Sequence, residues 1–272
     1  MDQLFLLKLI LAFISGAVVV TLTTVISERI STKYGGIFAA MPNTMVITTI
    51  FIAWTQNVQA AVEATTSAPI GIMGLFCFYI TYFYSSMKWP KSYLKPIAMA
   101  LIAWFIVAII GSTIRLDWSF SAIGVALFSI PAFYILYRQK PNPQMRKERA
   151  TIKELMIRGI FSGTVVAVGV IIAKYLSIYF GGTMAAFPAV LTSAFAILHY
   201  KYGSAYVREF LRTVPFGTLS LFVFAYSANQ LFLVVGMVYG IIIALAFSIA
   251  FIAAMYELAK GKAFSGHIGK NQ

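Results

Sequence analysis

The residues able to do chemistry are few, and the most suggestive of them follow two prolines. Pro42 precedes Asn43 and Thr44, with Thr48 and Thr49 one turn on; Pro188 precedes Thr192 and Ser193. An asparagine amide offers two donors and an acceptor, and hydroxyls offer both roles, so such a set recognises a polar solute rather than cleaving one. Proline lacks an N–H and disfavours helix at the residue before it, which predicts a break near Met41 and Phe187. Backbone groups freed at a break inside an apolar segment must be met by protein, water or a ligand. We therefore take Met41, Pro42, Asn43, Thr44, Thr48, Phe187, Pro188, Thr192 and Ser193 as candidates to line a substrate path. Asn43 has a structural alternative, hydrogen bonding to a neighbouring helix. The hydroxyls can also satisfy themselves on their own helix carbonyls.

Catalytic and metal-ligating sets are missing from the sequence. His199 and His267 lie far apart without cysteine companions, and a single cysteine, Cys77, forms no intramolecular disulfide and reads as a buried small side chain. Neither a cofactor nor enzymatic chemistry is expected. Glu63 and Glu209 read as helix-start residues placed for the helix dipole, with a gate or ion-pair role as the alternative, since Arg208 and Arg212 lie near Glu209. No carboxylate falls at mid-membrane depth, which argues against a sodium or divalent-cation carrier. Lys8, Arg158 and Lys174 could assist an anion if turned inward, but cationic side chains near span ends by default reach for the interface. Tyr79 and Tyr82 share a helix face and could flank a solute's path.

The elements holding these residues are membrane spans. Of 272 residues, 60% are hydrophobic and 11% charged, too few charges to cover a soluble surface. Nine apolar runs approach the ~20 residues that cross a ~30 Å hydrocarbon core: 4–27, 35–54, 63–87, 96–113, 118–137, 155–178, 181–200, 209–227 and 231–256. The first lacks a basic start and a cleavage site and reads as a retained helix. The expected fold class is an all-α integral membrane protein.

With nine spans and the basic stretch 138–158 placed in the cytoplasm, all of the 21 basic residues except Lys8, Arg115 and Lys174 lie on that side. This puts the N-terminus outside and the C-terminus inside; the resemblance set out below implies the plasma membrane of a prokaryote. The net charge of +13 is then a consequence of insertion and not a nucleic-acid footprint. The lipid bilayer is the expected partner, beside a small-molecule or lipid substrate, and self-association is left open. Thr151, with Glu154 three residues on, reads as the cap of the sixth span.

The two prolines belong to a repeat. At a constant offset of 146, Gly35, Gly36, Ala39, Ala40, Pro42, Glu63, Pro69 and Gly71 recur as Gly181, Gly182, Ala185, Ala186, Pro188, Glu209, Pro215 and Gly217. Ser15-Gly16 recurs as Ser162-Gly163, one residue out of step. A first four-helix unit (1–113), a linking helix and basic loop (114–154), a second unit (155–258) and a tail (259–272) follow. Five crossings separate the unit starts, so the repeats are inverted, as in many secondary transporters. The Gly35/Ala39, Gly36/Ala40, Gly181/Ala185 and Gly182/Ala186 pairs are small-x-x-x-small patterns that favour close helix packing.

The duplicated GG-x-x-A-A-x-P helices, each followed by a glutamate and a P-x-G, resemble an uncharacterised group of prokaryotic integral membrane proteins. They also resemble the small four-helix GlpM-like membrane proteins, which would correspond to one half. The resemblance implies a fold and carries no catalytic residues. The function expected is a transporter-like core moving a small neutral or anionic organic solute by alternating access. The alternatives are a flippase or membrane-embedded enzyme acting on a lipid or lipid phosphate, and a non-catalytic membrane assembly partner.

Overall fold

A computed structural model describes residues 3–30, 35–137 and 150–260, and among these every regular element is helical. The basic loop with Arg138, Lys140, Arg146, Lys147 and Arg149, the residue Lys33, and the tail with Lys262, His267 and Lys270 lie outside the described residues. The elements are α1 (Gln3–Ile30), α2 (Gly35–Ala39), α3 (Asn43–Thr55), α4 (Val58–Lys88), α5 (Leu94–Ser112), α6 (Trp118–Tyr137), α7 (Ile152–Tyr175), α8 (Ile178–Ala185), α9 (Ala189–Tyr202), α10 (Ser204–Leu211), α11 (Val214–Leu231) and α12 (Met237–Lys260). Among the described residues, eight segments are long and apolar enough to cross a membrane, with α2–α3 and α8–α9 counting as one each, and α10–α11 makes a ninth bent by 47°.

Burial divides the helices into an inner and an outer set. Residues 178–202 are 78% buried over their most apolar window, whereas α1 and α12 are 22% buried, so the long outer faces of the latter meet lipid in a spanning protein. Inner helix α4 packs on α5, α6, α8 and α11, while α11 packs on α12, α2 and α4. Helices α1 and α7 cross where Gly16 meets Gly163 and Val166.

The glycines at offset 146 make reciprocal contacts. A Cβ on Gly36 would strike Thr213 Oγ1 and the Phe210 carbonyl oxygen; on Gly182 it would strike Ser67 Oγ and the Ala64 carbonyl oxygen. Ser67 and Ala64 are the offset partners of Thr213 and Phe210. Likewise Gly71 lies on the Thr183 carbonyl and Gly217 on the Ile37 carbonyl, again one offset apart. Each half thus presents the same glycine face to the same place on the other, bringing backbones closer than any side chain permits.

Local capping explains several helix starts. Thr151 Oγ1 accepts from the Glu154 N–H and Glu154 Oε2 accepts from the Thr151 N–H, the capping box expected from the sequence. Asn57 caps α4 by accepting from the Ala60 N–H, so α4 begins five residues before the expected start at 63. Glu63 is consequently exposed in the second turn, and Glu209 sits in the last turn of α10. Neither occupies a helix start, which removes the dipole explanation for both: that attraction fades beyond the first turn and reverses at a C-terminus. Cys77 is half-buried rather than buried.

Candidate substrate path

The prolines break their helices in a similar way, with three matching backbone bonds. In the first half the N–H of Met41 donates to Phe38 O (3.2 Å), that of Asn43 to Met41 O (2.8 Å) and that of Val46 to Pro42 O (2.9 Å). In the second, Phe187 donates to Met184 O (2.9 Å), Ala189 to Phe187 O (2.8 Å) and Thr192 to Pro188 O (2.8 Å). Both prolines sit at N-cap positions with no side-chain acceptor for the first helical N–H groups, at φ −74° in each case. The starts of α3 and α9 therefore keep N–H groups without capping side chains, at the positive ends of two helix dipoles.

The two breaks meet at one cavity. Met41 and Thr44 line it from one half and Phe187 and Pro188 from the other, with Ala39, Ala40, Ala186, Ala189, Val190 and Leu191 completing the breaks. Leu75 and Leu221, themselves offset partners, and Tyr79 complete the wall. The space is about 20 Å³, room for one water and too little for an organic solute. Thr44 Oγ1 donates across the halves to Ala185 O at 3.4 Å. Tyr79 donates its hydroxyl hydrogen to Thr218 Oγ1 at 2.8 Å, since Thr218 gives its own to Val214 O. Phe187 is held edge-on against Trp104, with centroids 5.0 Å apart, and Trp104 Nε1 donates to Gly71 O at 3.1 Å.

Of the path candidates, Pro42, Asn43, Thr48, Thr192 and Ser193 do not form this wall. Asn43 is half-buried and donates Nδ2–H to Thr23 Oγ1 on α1 at 3.0 Å, the interhelical alternative. Thr48 packs its methyl toward Gly169 on α7, and Ser193 bonds back to Ala189 O and Val190 O. Thr192 Oγ1 is buried and makes no hydrogen bond among the described residues.

Closures lie on both sides of the cavity along α4. Toward its N-terminus, ~14 Å from Leu75 at ~1.5 Å per residue, Asn229 on α11 donates to Thr66 Oγ1 (2.9 Å), Thr65 Oγ1 (3.1 Å) and Val62 O (2.9 Å). Asn229 Oδ1 accepts from Trp118 Nε1 on α6 at 3.1 Å. Toward the C-terminus, ~4.5 Å from Tyr79, Tyr82 bonds His199 Nδ1 at 2.8 Å, and ~10 Å from Tyr79 Ser86 Oγ accepts from Arg208 Nη1 at 3.5 Å, which also donates to Ser204 Oγ at 3.0 Å. Beside them Glu209 pairs with Arg212 at 2.9 Å, both largely buried, and Glu154 pairs with Lys201.

Asn229 was missed in the sequence, although an asparagine near the end of an apolar span is itself a signal of interhelical bonding. His199 was weighed only as a metal ligand; its role depends on Tyr82, a contact that no sequence spacing reveals.

No curated protein and no solved structure matches the chain. Residues 9–116, from within α1 to the turn before α6, match the family model described as "Protein of unknown function (DUF3147)".

Proposed function

We propose that the protein is a secondary transporter that moves a small neutral or anionic organic solute by alternating access of two inverted repeats, with the solute held between the breaks at Pro42 and Pro188. One observation carries this reading: two helix breaks of matching build face each other across a small cavity, and side-chain bonds tie α4 to the second half on both sides of it. Such a centre is what a carrier needs in its occluded state, and broken helices at a repeat interface are where carriers bind. The N–H groups at the starts of α3 and α9 favour a carboxylate, phosphate or carbonyl oxygen on the solute. The reciprocal glycine contacts support the inverted repeat, and the family match, confined to residues 9–116, supports a unit of half the chain.

The halves differ in one joint. Helix α4 is continuous through Pro69, whereas its counterpart bends by 47° between α10 and α11, just before Pro215. In the alternate state α4 bends at Thr66–Ser67, the offset partners of Arg212 and Thr213, and α10 and α11 come into line. In this reading the C-terminal end of α4 faces the cytoplasm with the basic loops.

The test is cysteine accessibility. In a Cys77→Ala background, Ala189→Cys in the cavity wall should react with a membrane-impermeant thiol reagent from either side of a vesicle, and a solute that stabilises the protein against heat should protect it. Reaction from neither side would remove the carrier reading. Protection by a lipid phosphate alone would instead favour lipid handling.

A further inference from the structure

His199 is a buried titratable side chain that the solute path does not use. It lies near the end of α9, 4% exposed, and both ring nitrogens are bonded: Nδ1 to the Tyr82 hydroxyl at 2.8 Å and Nε2 to the Pro90 carbonyl oxygen at 3.0 Å. A carbonyl can only accept, so Nε2 carries a hydrogen, and in the neutral ring Nδ1 receives the Tyr82 hydroxyl hydrogen. The ring ties α9 to α4 and to the turn that follows α4.

One turn further along α4, Ser86 accepts from Arg208 on α10, so Tyr82 and Ser86 present one helix face that holds two elements of the second half. The titratable and charged groups at this end of the surrounding elements are Tyr82, Tyr84 and Lys88 on α4, Lys91 and Tyr93 in the turn after it, Lys95 on α5, Lys153, Glu154 and Arg158 on α7, Tyr200, Lys201 and Tyr202 on α9, and Tyr206, Arg208 and Glu209 on α10 with Arg212 just beyond it. Both carboxylates are engaged, Glu154 by Lys201 and Glu209 by Arg212. Arg208 lies close enough to Tyr82 to act on it electrostatically.

We infer that His199 binds a proton and that this proton opens the closure at the α10 end. A proton added at Nδ1 turns the acceptor of the Tyr82 bond into a donor. The Tyr82 hydroxyl oxygen can take that new N–H only if its own hydrogen turns away from the ring, so the hydroxyl hydrogen loses the acceptor it has in the closed joint. The new charge also joins Arg158, Lys201, Arg208 and Arg212 on a face whose carboxylates are already paired. The offset partner of His199 is Ala53 and that of Tyr82 is Ala228, so the opposite closure, built on Asn229, has no such switch. The coupling of this proton to solute movement rests on the transporter reading, whereas the latch does not.

The experiment measures the distance between spin labels on two exposed positions, Met87→Cys on α4 and Ala205→Cys on α10, in a Cys77→Ala background. The distance distribution should be short at about pH 8 and lengthen at about pH 5. His199→Asn should remove that response. Tyr82→Phe, which deletes only the hydroxyl, should give the long distance already at about pH 8. A distance that ignores pH, a response that persists in His199→Asn, or a Tyr82→Phe protein that stays short at high pH would each overturn the inference. Failure here with a cavity cysteine reachable from both sides would leave a carrier without this proton switch. A pH response with an unreachable cavity would leave the switch and remove the carrier.

Discussion

Gly182 lies with its bare α-carbon on the backbone of Ala64, so close that a methyl group there would overlap the Ala64 carbonyl oxygen. Backbone cannot swing aside as a flexible side chain can. Gly182→Ala should therefore cost about 1–3 kcal/mol of stability, the usual range for overpacking, and Gly182→Leu should abolish assembly. Gly36→Ala, against Phe210 and Val214 backbone atoms, should behave alike. Gly169→Ala, whose nearest neighbour is the Thr48 methyl at 3.3 Å, should cost little. Thermal melts in detergent compare the three.

Asn43 donates to Thr23 and stays out of the cavity wall. Interhelical hydrogen bonds in membranes average about 0.6 kcal/mol. Asn43→Ala and Thr23→Val should each lower stability by about that much and, combined, by no more than either alone, while solute movement persists. A double-mutant cycle on melting temperature checks the first part. Lost transport with unchanged stability would return Asn43 to the path.

Asn229 holds Thr65, Thr66 and the Val62 carbonyl at once. Asn229→Ala should free the start of α4. A cavity cysteine at position 189 should then react about tenfold faster from that side, the effect of two or three such bonds at about 0.6 kcal/mol each. The rate from the opposite side should not rise.

Glu63 and Glu209 are matched in sequence and unlike in surroundings. Glu63 is exposed on α4, whereas Glu209 and Arg212 pair at 2.9 Å with little exposure. Glu209→Gln should destabilise by more than 1 kcal/mol because it leaves a buried guanidinium without its carboxylate; Glu63→Gln should stay within about 0.5 kcal/mol.

Leu75 and Leu221 face the same cavity from opposite halves. Leu221→Trp should fill that space of about 20 Å³ and block reaction of the cavity cysteine from both sides. Continued labelling at the parent rate would place the path elsewhere.

The spans, the breaks at Met41 and Phe187 and the capping box at Thr151 were legible in the sequence because each has a local cause: apolar length, a missing N–H, a reciprocal side-chain bond. The start of α4 was misplaced because Asn57 lies in a polar stretch, "TQN", that ends one apolar run without marking the next. The small residues at offset 146 pointed to close packing but not to their partners, since a glycine carries no trace of the surface it touches. Asn43 showed the opposite limit: its amide was rightly expected to need a partner, and only the position of α1 decides that Thr23 supplies it. The 47° joint at Thr213 had a proline signal at Pro215, yet Pro69 carries the same signal inside a continuous helix, so the bend depends on packing beyond the local residue type.

The glycine face of α2 also bears on how the chain is made. Gly36 leaves the ribosome about 170 residues before the Phe210–Val214 backbone that covers it, a wait of roughly ten to thirty seconds at about 5–20 residues per second. During that interval the glycine face of the first half has no second half to close on, so the close contact it is shaped for forms only late in synthesis.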